Sequence, residues 1–193
     1  MRKMLLITGF DPFGGSSVNP AWEAVKALPD RIGEYELCKL QIPTVFGVAA
    51  QNVLDALRER IPDVVLCVGQ AGGREAVTPE RIAVNIRDAR IPDNRGNWPE
   101  GEFVVSEGPA AYFSTVPVKE MAAAIVAVGL PGMVSNSAGA FVCNDTLYTL
   151  LHRFRGTSTR VGFVHVPWLP EQGNPSLPLE DTVRALEAAI TAL

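Results

Sequence analysis

The sequence has few of the residues that build disulfide frameworks or metal sites. Its 193 residues include three cysteines, Cys38, Cys67 and Cys143, and none of them belongs to a CxxC pair. An odd number of cysteines without paired spacing argues against both a disulfide framework and a zinc site. Reduced thiols in a cytoplasmic protein are therefore expected.

Long apolar runs and blocks of one charge are lacking as well. The 21 acidic and 17 basic residues are mixed along the chain, and the net charge is −4. Without a basic block, no nucleic-acid partner is expected. No apolar run is long enough to span a membrane, and "MRKMLLITGF" leads into glycine and aspartate, not into a cleavage site. We interpret this first run as a buried strand and expect no membrane partner.

The composition that is present predicts a globular protein with a sizeable core. Hydrophobic residues make up 47% of the chain, and its length favours a single domain over residues 1–193. Short apolar runs alternate with amphipathic stretches, which predicts an α/β fold: an α/β/α sandwich around a largely parallel, twisted sheet. The predicted strands are "MLLITGF", "YELCKLQI", "DVVLCVG", "RIAVNIRD", "MVSNSA" and "RVGFVHVP". The predicted helices are "PAWEAVKAL", "VAAQNVLDALRER", "VPVKEMAAAIVAVG", "CNDTLYTLLHRF" and "LEDTVRALEAAITAL".

In open parallel sheets, ligands bind beyond the carboxyl ends of the strands. Three stretches fall at such ends, namely "GFDPFGG", "GQAGG" and "HVPW". The loop-rich segments 87–109 and 167–178 are long for simple connections, which favours a functional role for them.

Cys143 has two interpretations. It begins an apolar stripe that continues at helical spacing through Leu147, Leu150 and Phe154, and free cysteines are often buried in cores. It also falls near the predicted start of a helix, where the dipole and free N–H groups stabilise a thiolate and can bind an oxyanion. Composition alone favours the core for Cys143, and Cys38 and Cys67 are interpreted as core residues within strands.

A nucleophilic thiol needs a base and a group that orients the base. His165 lies near the carboxyl end of a predicted strand, although a core histidine is an equal alternative there. His152 lies off the apolar stripe of its helix and is expected on the solvated surface. Glu80 is the candidate carboxylate, and Asp88 and Asp93 are rivals by position.

The segment "GFDPFGG" follows the first strand as a phosphate loop would, but it lacks the GxGxxG and GK[ST] patterns. Phe10 and Phe13 place two aromatic rings beside flexible backbone, which suits a small, flat, apolar ligand. Alternatively, both rings fill the core.

Six segments together resemble the pyroglutamyl-peptidase I family of cysteine exopeptidases. They are "GFDPFGGSSVNPAWE", "GQAGGREAVTPERIAVN", "ARIPDNRGN", "GPAAYFSTVPVKEM", "SNSAGAFVCNDTLY" and "FVHVPWLPEQ". The resemblance extends over nearly the whole chain and implies removal of N-terminal pyroglutamate from peptides. Trp168 in "VPWLP" departs from the expected residue, which affects only the rim of the pocket.

The resemblance also implies roles for individual residues. Cys143 would be the nucleophile, His165 the base and Glu80 the orienting acid, with Arg90 close to the cysteine and its oxyanion. The implied substrate-binding residues are Phe10, Phe13, Asn19, Thr44, Gln70, Phe141 and Val142. No metal or organic cofactor is needed, the partners are pyroglutamylated peptides, and a homo-oligomer (tetramer or dimer) is expected.

Two other classes of function stay open at this point. One is a binding module that holds pyroglutamyl peptides without turnover. The other is a nucleotide-binding α/β enzyme, which only the first glycine-rich loop suggests. A redox role for Cys143 is disfavoured because no second cysteine lies nearby in the sequence.

Overall fold

A computed structural model of the protein describes residues 2–58 and 60–193. In this part of the chain the strands are β1 (Lys3–Phe10), β2 (Arg31–Ile32), β3 (Tyr35–Ile42), β4 (Val64–Gln70), β5 (Thr78–Pro79), β6 (Ile82–Val84), β7 (Arg87–Asp88), β8 (Glu100–Glu102), β9 (Ala111–Phe113) and β10 (Arg160–Val166). The helices are α1 (Pro20–Ala27), α2 (Val48–Ala56), α3 (Val118–Ala127), α4 (Val142–Phe154) and α5 (Leu179–Thr191).

Six strands form the central sheet in the order β2-β3-β1-β4-β10-β5. The four inner strands run parallel to one another, and the short edge strands β2 and β5 run antiparallel to their neighbours. The carboxyl ends of β1, β4 and β10 therefore open on the same edge of the sheet. The predicted α/β class with a largely parallel sheet is confirmed.

Side-chain alternation along the inner strands divides the core into two layers. Leu5 and Ile7 of β1 pack on the side covered by α1, α3 and α5. Leu6, Cys67 and Phe163 pack on the opposite side, beneath α2 and α4. Helices therefore cover both faces of the sheet, and the predicted core position of Cys67 is confirmed.

The strand predicted over "RIAVNIRD" is wrong as a single element. It divides into β6, which pairs with β9, and β7, which pairs with β8, and neither belongs to the central sheet. The interruption has a clear cause, since the Asn144 side chain accepts from the Val84 N–H and donates to the carbonyls of Val84 and Ile86. The Asn144 side chain on α4 thus makes backbone hydrogen bonds that a neighbouring strand would otherwise make.

Two further expectations also fail. The segment "MVSNSA" forms no regular strand: Ser135 makes an isolated bridge with Glu80, and Gly132, just before the segment, makes one with Val77. Cys38 is exposed, not buried; Glu36 on the same face of β3 is also exposed, whereas Ile42 further along that face is buried in the layer beneath α2 and α4.

The helix predicted over 48–60 ends at Ala56, and Glu59 of that prediction lies outside the described residues.

None of the helices in residues 2–58 and 60–193 is at once long and apolar enough to cross a bilayer.

Candidate active site

Strand alternation directs His165 toward the layer beneath α2 and α4. Phe163 of β10 packs in that layer, and His165 lies two residues further along the same strand. Edge strand β5 pairs antiparallel with β10, with Thr78 opposite His165. The chain then continues to Glu80, whose N–H donates to the Phe163 carbonyl at 2.8 Å. Backbone pairing thus brings Glu80 beside His165 although 85 positions separate them in the sequence.

Glu80 and His165 form a buried hydrogen bond. The Nδ1 atom of His165 lies 2.7 Å from Oε1 of Glu80. His165 is 4% exposed and Glu80 is 0% exposed, so water does not screen the pair. Since Nδ1 is engaged by the carboxylate, Nε2 is the nitrogen left to exchange a proton with another group.

Neither rival carboxylate pairs with His165, although Asp88 lines the cavity described below. Asp93 accepts from the backbone N–H groups of Phe46, Arg95 and Asn97, and therefore organises its own loop. Those hydrogen bonds, together with one from the Asn97 side chain, outweigh burial and lower the pKa of Asp93. Asp88 is exposed. Among these three acids, Glu80 is the one paired with His165.

Cys143 is the second residue of α4, so its predicted position in the first turn is confirmed. The helix begins after Phe141, whose backbone is extended and whose side chain makes no capping bond. The first N–H groups of α4 consequently lack partners within the helix. Cys143 also packs partly against the core layer under α4. Cys143 therefore lies both in the first turn of a helix and against the apolar core, and each of these positions was one interpretation of the sequence.

Cys143 and His165 line one cavity of about 540 Å³ at the carboxyl ends of the strands. The rings of Phe13 and Phe141 form an apolar part of its wall, with ring centroids 6.0 Å apart. Arg90 lines the same cavity. A thiol, an imidazole and a cation thus share a space that also contains apolar surface.

Burial controls the protonation of these groups. Burial lowers the pKa of His165 below 6.5, and this effect outweighs the opposing hydrogen bond and charge of Glu80. Burial also raises the pKa of the Cys143 thiol, and the Glu80 charge adds to the rise. For Glu80, burial is outweighed by the His165 hydrogen bond and by nearby positive charge, so its pKa is lowered. These directions favour a neutral thiol, a neutral imidazole and an ionised carboxylate in the resting site at neutral pH.

The residues expected to bind substrate divide into two groups. Phe13, Gln70 and Phe141 line the cavity. Phe10 and Val142 do not line it, because they are 1% and 0% exposed in the core layer beneath α2 and α4. Phe10 therefore fills the core, which was the alternative interpretation of its ring in the sequence.

Asn19 and Thr44 do not line the cavity either, but they hold the loop that carries Phe13. The Asn19 side chain caps α1 by accepting from the Ala21 N–H, which confirms the predicted N-cap, and it donates to the Asp11 carbonyl at 3.0 Å. The Thr44 N–H donates to the Asp11 carboxylate at 2.6 Å. Asn94 donates to the same carboxylate at 3.1 Å. Asp11 is thus the centre of a support that the sequence did not single out.

The expectation for His152 is wrong. His152 is partly buried, with Nδ1 2.8 Å from the Tyr112 hydroxyl and its ring stacked on Tyr148. Tyr148 lies one turn earlier on the same helix, whereas Tyr112 comes from β9, and the spacing along the helix could not reveal that second contact. It does not line the cavity with Cys143.

Sequence reasoning also missed Arg74. Its guanidinium lies 2.6 Å from Oε1 of Glu80 and lines the cavity. The available signal was its place in "GQAGGREAV", in a loop directly after β4 and six residues before Glu80.

A second cleft of about 720 Å³ adjoins the cavity and shares Phe13, Gln70 and Ile91 with it. Trp168 lies in its wall, and its ring packs so closely on Gly72 that a Cβ atom there would meet it at 2.2 Å. The Gln172 side chain donates to Gln70 and to Ser16, which ties the loop after β10 to both.

Comparisons with known proteins decide the family. The family model described as pyroglutamyl peptidase matches residues 3–193. The chain belongs to the pyroglutamyl peptidase family. A pyrrolidone-carboxylate peptidase of Levilactobacillus brevis is 54% identical over 197 residues, which cover 98% of this chain and 96% of that protein. A pyrrolidone-carboxylate peptidase of Bacillus licheniformis is 50% identical, and the match covers 100% of this chain and 94% of that protein.

Solved structures of pyroglutamyl peptidases have the same fold. Pyroglutamyl peptidase I of Bacillus amyloliquefaciens superposes with a TM-score of 0.94 at 45% identity, covering 98% of this chain and 96% of that chain. The pyrrolidone carboxyl peptidase of Thermococcus litoralis gives 0.93 at 36% identity, with 98% and 92% covered. In this member of the pyroglutamyl peptidase family, residues 2–58 and 60–193 contain no group of three or more His, Cys, Asp or Glu placed to hold a metal ion.

Proposed function

We propose that this protein is a cysteine exopeptidase that removes an N-terminal pyroglutamyl residue from peptides. The observation that carries the proposal is the buried Glu80–His165 hydrogen bond beside the cavity that His165 and Cys143 both line. Family membership supports the reaction, and this geometry supports a Cys-His-Glu triad as the means. The resting thiol and imidazole are neutral, so the thiol must lose its proton as it attacks.

In the first half of the reaction, Sγ of Cys143 attacks the carbonyl carbon that joins pyroglutamate to the next residue. Nε2 of His165 takes the thiol proton, while Glu80 holds Nδ1 and stabilises the imidazolium. The oxyanion lies near the free N–H groups at the start of α4, with Arg90 in the same cavity. The imidazolium then donates its proton to the leaving amine as the C–N bond breaks, and a thioester remains on Cys143.

In the second half, water attacks the thioester carbonyl and His165 accepts its proton. The C–S bond breaks, pyroglutamic acid leaves, and the proton returns to the sulfur of Cys143. No step requires a metal or an organic cofactor.

Specificity for pyroglutamate follows from its neutral lactam ring. Phe13 and Phe141 offer apolar surface to the ring, and Gln70 at the end of β4 brings a polar residue to the same cavity for the lactam. Proline has a similar shape, but it lacks the lactam carbonyl and carries a charged amine. Polar groups left unpaired by the wrong substrate can reduce its turnover about 10⁴-fold. Equal cleavage of prolyl and pyroglutamyl substrates would therefore contradict this explanation of the specificity.

We also propose that residues 1–193 form one catalytic domain that acts in the cytoplasm as a homo-oligomer, a dimer or a tetramer. The proposed triad comes from α4, β10 and the segment after β5, which pack around one sheet. Exposed apolar side chains such as Phe103 and Phe113 offer surface for association between copies.

The decisive experiment measures release of a fluorogenic amine from its pyroglutamyl derivative under reducing conditions. Wild type should turn over the substrate, and Cys143→Ala should not. Cys38→Ala is the matched control, because Cys38 is exposed and lies outside the cavity, and it should retain wild-type rates. A folded, reduced wild type without turnover would favour the binding module instead.

A further inference from the structure

We propose that Arg74 is a positioning residue for the reaction, because its guanidinium neutralises the buried Glu80 carboxylate and ties it to the segment that precedes the Cys143 helix. This inference rests on the proposed function. It adds a fourth group that acts on the substrate only through Glu80 and His165.

The contacts of Arg74 reach both sides of the site. One terminal nitrogen donates to Oε1 of Glu80 at 2.6 Å and to the Thr78 hydroxyl at 2.5 Å. The other donates to the Ser137 carbonyl at 2.9 Å, six residues before Cys143. A planar guanidinium with several donors can make these contacts at once, whereas a lysine ammonium is a single point charge.

The loop "QAGGR" places Arg74 over Glu80. The Arg74 N–H donates to the Ala71 carbonyl at 3.3 Å, and Gly73 has a φ of 84°, a conformation that favours glycine. Gly72 lies under the Trp168 ring, where a side chain would collide. The turn returns the chain so that the long side chain of Arg74 covers the carboxylate from the cavity side.

A charge argument gives Arg74 its role. His165 and Arg74 share one oxygen of Glu80, and the carboxylate has no exposed surface. In the resting site the imidazole is neutral, so it cannot balance a buried negative charge. Arg74 is the permanent cation beside it, and a buried charge without such a partner is strongly disfavoured. With Arg74 present, Glu80 remains ionised and keeps the proton of His165 on Nδ1, so Nε2 stays free to act as a base.

A different role for Arg74 would be direct contact with substrate, because the residue also lines the cavity. The two roles differ in their kinetics. Positioning through Glu80 lowers kcat and leaves KM within about twofold, whereas substrate contact raises KM.

The first test compares Arg74→Gln and Arg74→Lys with wild type in the pyroglutamyl assay. Arg74→Gln should lower kcat about 10- to 100-fold, as expected for the loss of a hydrogen bond to a charged group. Arg74→Lys should recover part of that loss, because it restores the charge but not the bridge to Ser137. Arg81→Gln is the matched control, since Arg81 follows Glu80 and forms no salt bridge with a described residue.

The pH profile of kcat/KM separates positioning from a purely structural role. The charged and titratable groups around His165 are Glu80, Arg74 and Cys143, and Asp88 and Arg90 line the same cavity. The positive charge of Arg74 disfavours the imidazolium, so its removal makes His165 easier to protonate. The acidic limb of Arg74→Gln should therefore move to higher pH. An unchanged profile combined with a raised KM would overturn the proposal.

A double-mutant cycle completes the test. If Arg74 acts through Glu80, then Arg74→Gln should change kcat less than twofold in a Glu80→Gln background. An equal loss in both backgrounds would overturn the proposal. Inactive wild type would instead reject the proposed function, and thermal melts of each variant identify any loss of folding.

Discussion

Gly69 at the end of β4 lies directly against the sulfur of Cys143. A Cβ atom at position 69 would lie 3.0 Å from Sγ of Cys143 and 2.7 Å from the Phe163 ring. The absence of a side chain at this position leaves room for the thiol between the sheet and α4. The position of the proposed nucleophile therefore depends on a neighbouring strand as well as on its own helix.

Gly69→Ala should displace the Cys143 thiol and lower kcat about 10- to 100-fold, because small misplacements of reacting groups are costly. Overpacking should also cost about 1–3 kcal/mol of stability. Steady-state kinetics and thermal unfolding measure the two effects separately.

Gly162→Ala is the matched control for this substitution. Its Cβ atom would meet Val116 at 2.3 Å, on the opposite side of the sheet from Cys143. It should reduce stability while leaving kcat near wild type at temperatures where the variant is folded. Equal losses of kcat in both variants would show that Gly69 affects activity only through general destabilisation.

Glu80→Gln should lower kcat by about 10³- to 10⁴-fold, because an amide can hold His165 in the wrong tautomer and cannot stabilise the imidazolium. KM should change little, since Glu80 does not line the cavity. The exposed Glu75 offers a control with the same change of charge, and Glu75→Gln should keep wild-type kinetics. If kcat of the Glu80→Gln variant stayed within tenfold of wild type, Glu80 would have no essential role in the mechanism.

The acidic limb of kcat/KM should have its midpoint below pH 6.5. Burial lowers the pKa of His165, so the imidazole remains a neutral base at pH values where a free histidine is partly protonated. Activity is therefore retained as pH falls to about 6.5 and is lost only at lower pH. Rates measured from pH 4.5 to 8, with circular dichroism at each pH to establish folding, would check this. A midpoint above pH 6.5 would contradict it.

Phe10 and Phe13 should behave differently when replaced by alanine. Phe10→Ala removes a ring from the core and should cost about 3–5 kcal/mol in the free energy of unfolding. Phe13→Ala removes apolar surface from the cavity wall and should raise KM about tenfold with a smaller loss of stability. Denaturant unfolding and kinetics on the same preparations would separate the two roles. The reverse pattern would place the substrate pocket beneath Phe10.

Much of the fold could be predicted from local patterns. "DVVLCVG" has the continuous apolar character of a strand buried on both faces, and it forms the centre of the sheet as β4. Asn19 before Pro20 predicts the start of α1, and Gly129 predicts the end of α3, where it adopts a φ of 80°. Each of these signals depends on neighbours within a few residues, so it can be read without the tertiary structure.

The failures share a physical cause. "RIAVNIRD" has the alternation of a strand, but the Asn144 amide takes up its backbone groups from another part of the chain. Cys38 has the pattern of a core residue, but the part of β3 that carries it lies exposed, with Glu36 of the same face exposed as well. His152 has the pattern of a surface residue, but Tyr112 of β9 packs against it and lies within hydrogen-bond distance of its ring. In each case the packing of distant parts of the chain, which the local pattern does not contain, decided the outcome.

The sequence by itself determined the α/β class, the order of the main elements, the family resemblance and the position of Cys143 in the first turn of its helix. These follow from local periodicity, capping residues and contiguous motifs. Only the tertiary structure decided that Glu80 pairs with His165, that Arg74 reaches the same carboxylate, and that Phe13 lines the cavity while Phe10 does not. Those relationships depend on strand pairing and on the side of the sheet that each side chain faces, which bring together residues that are far apart in the chain.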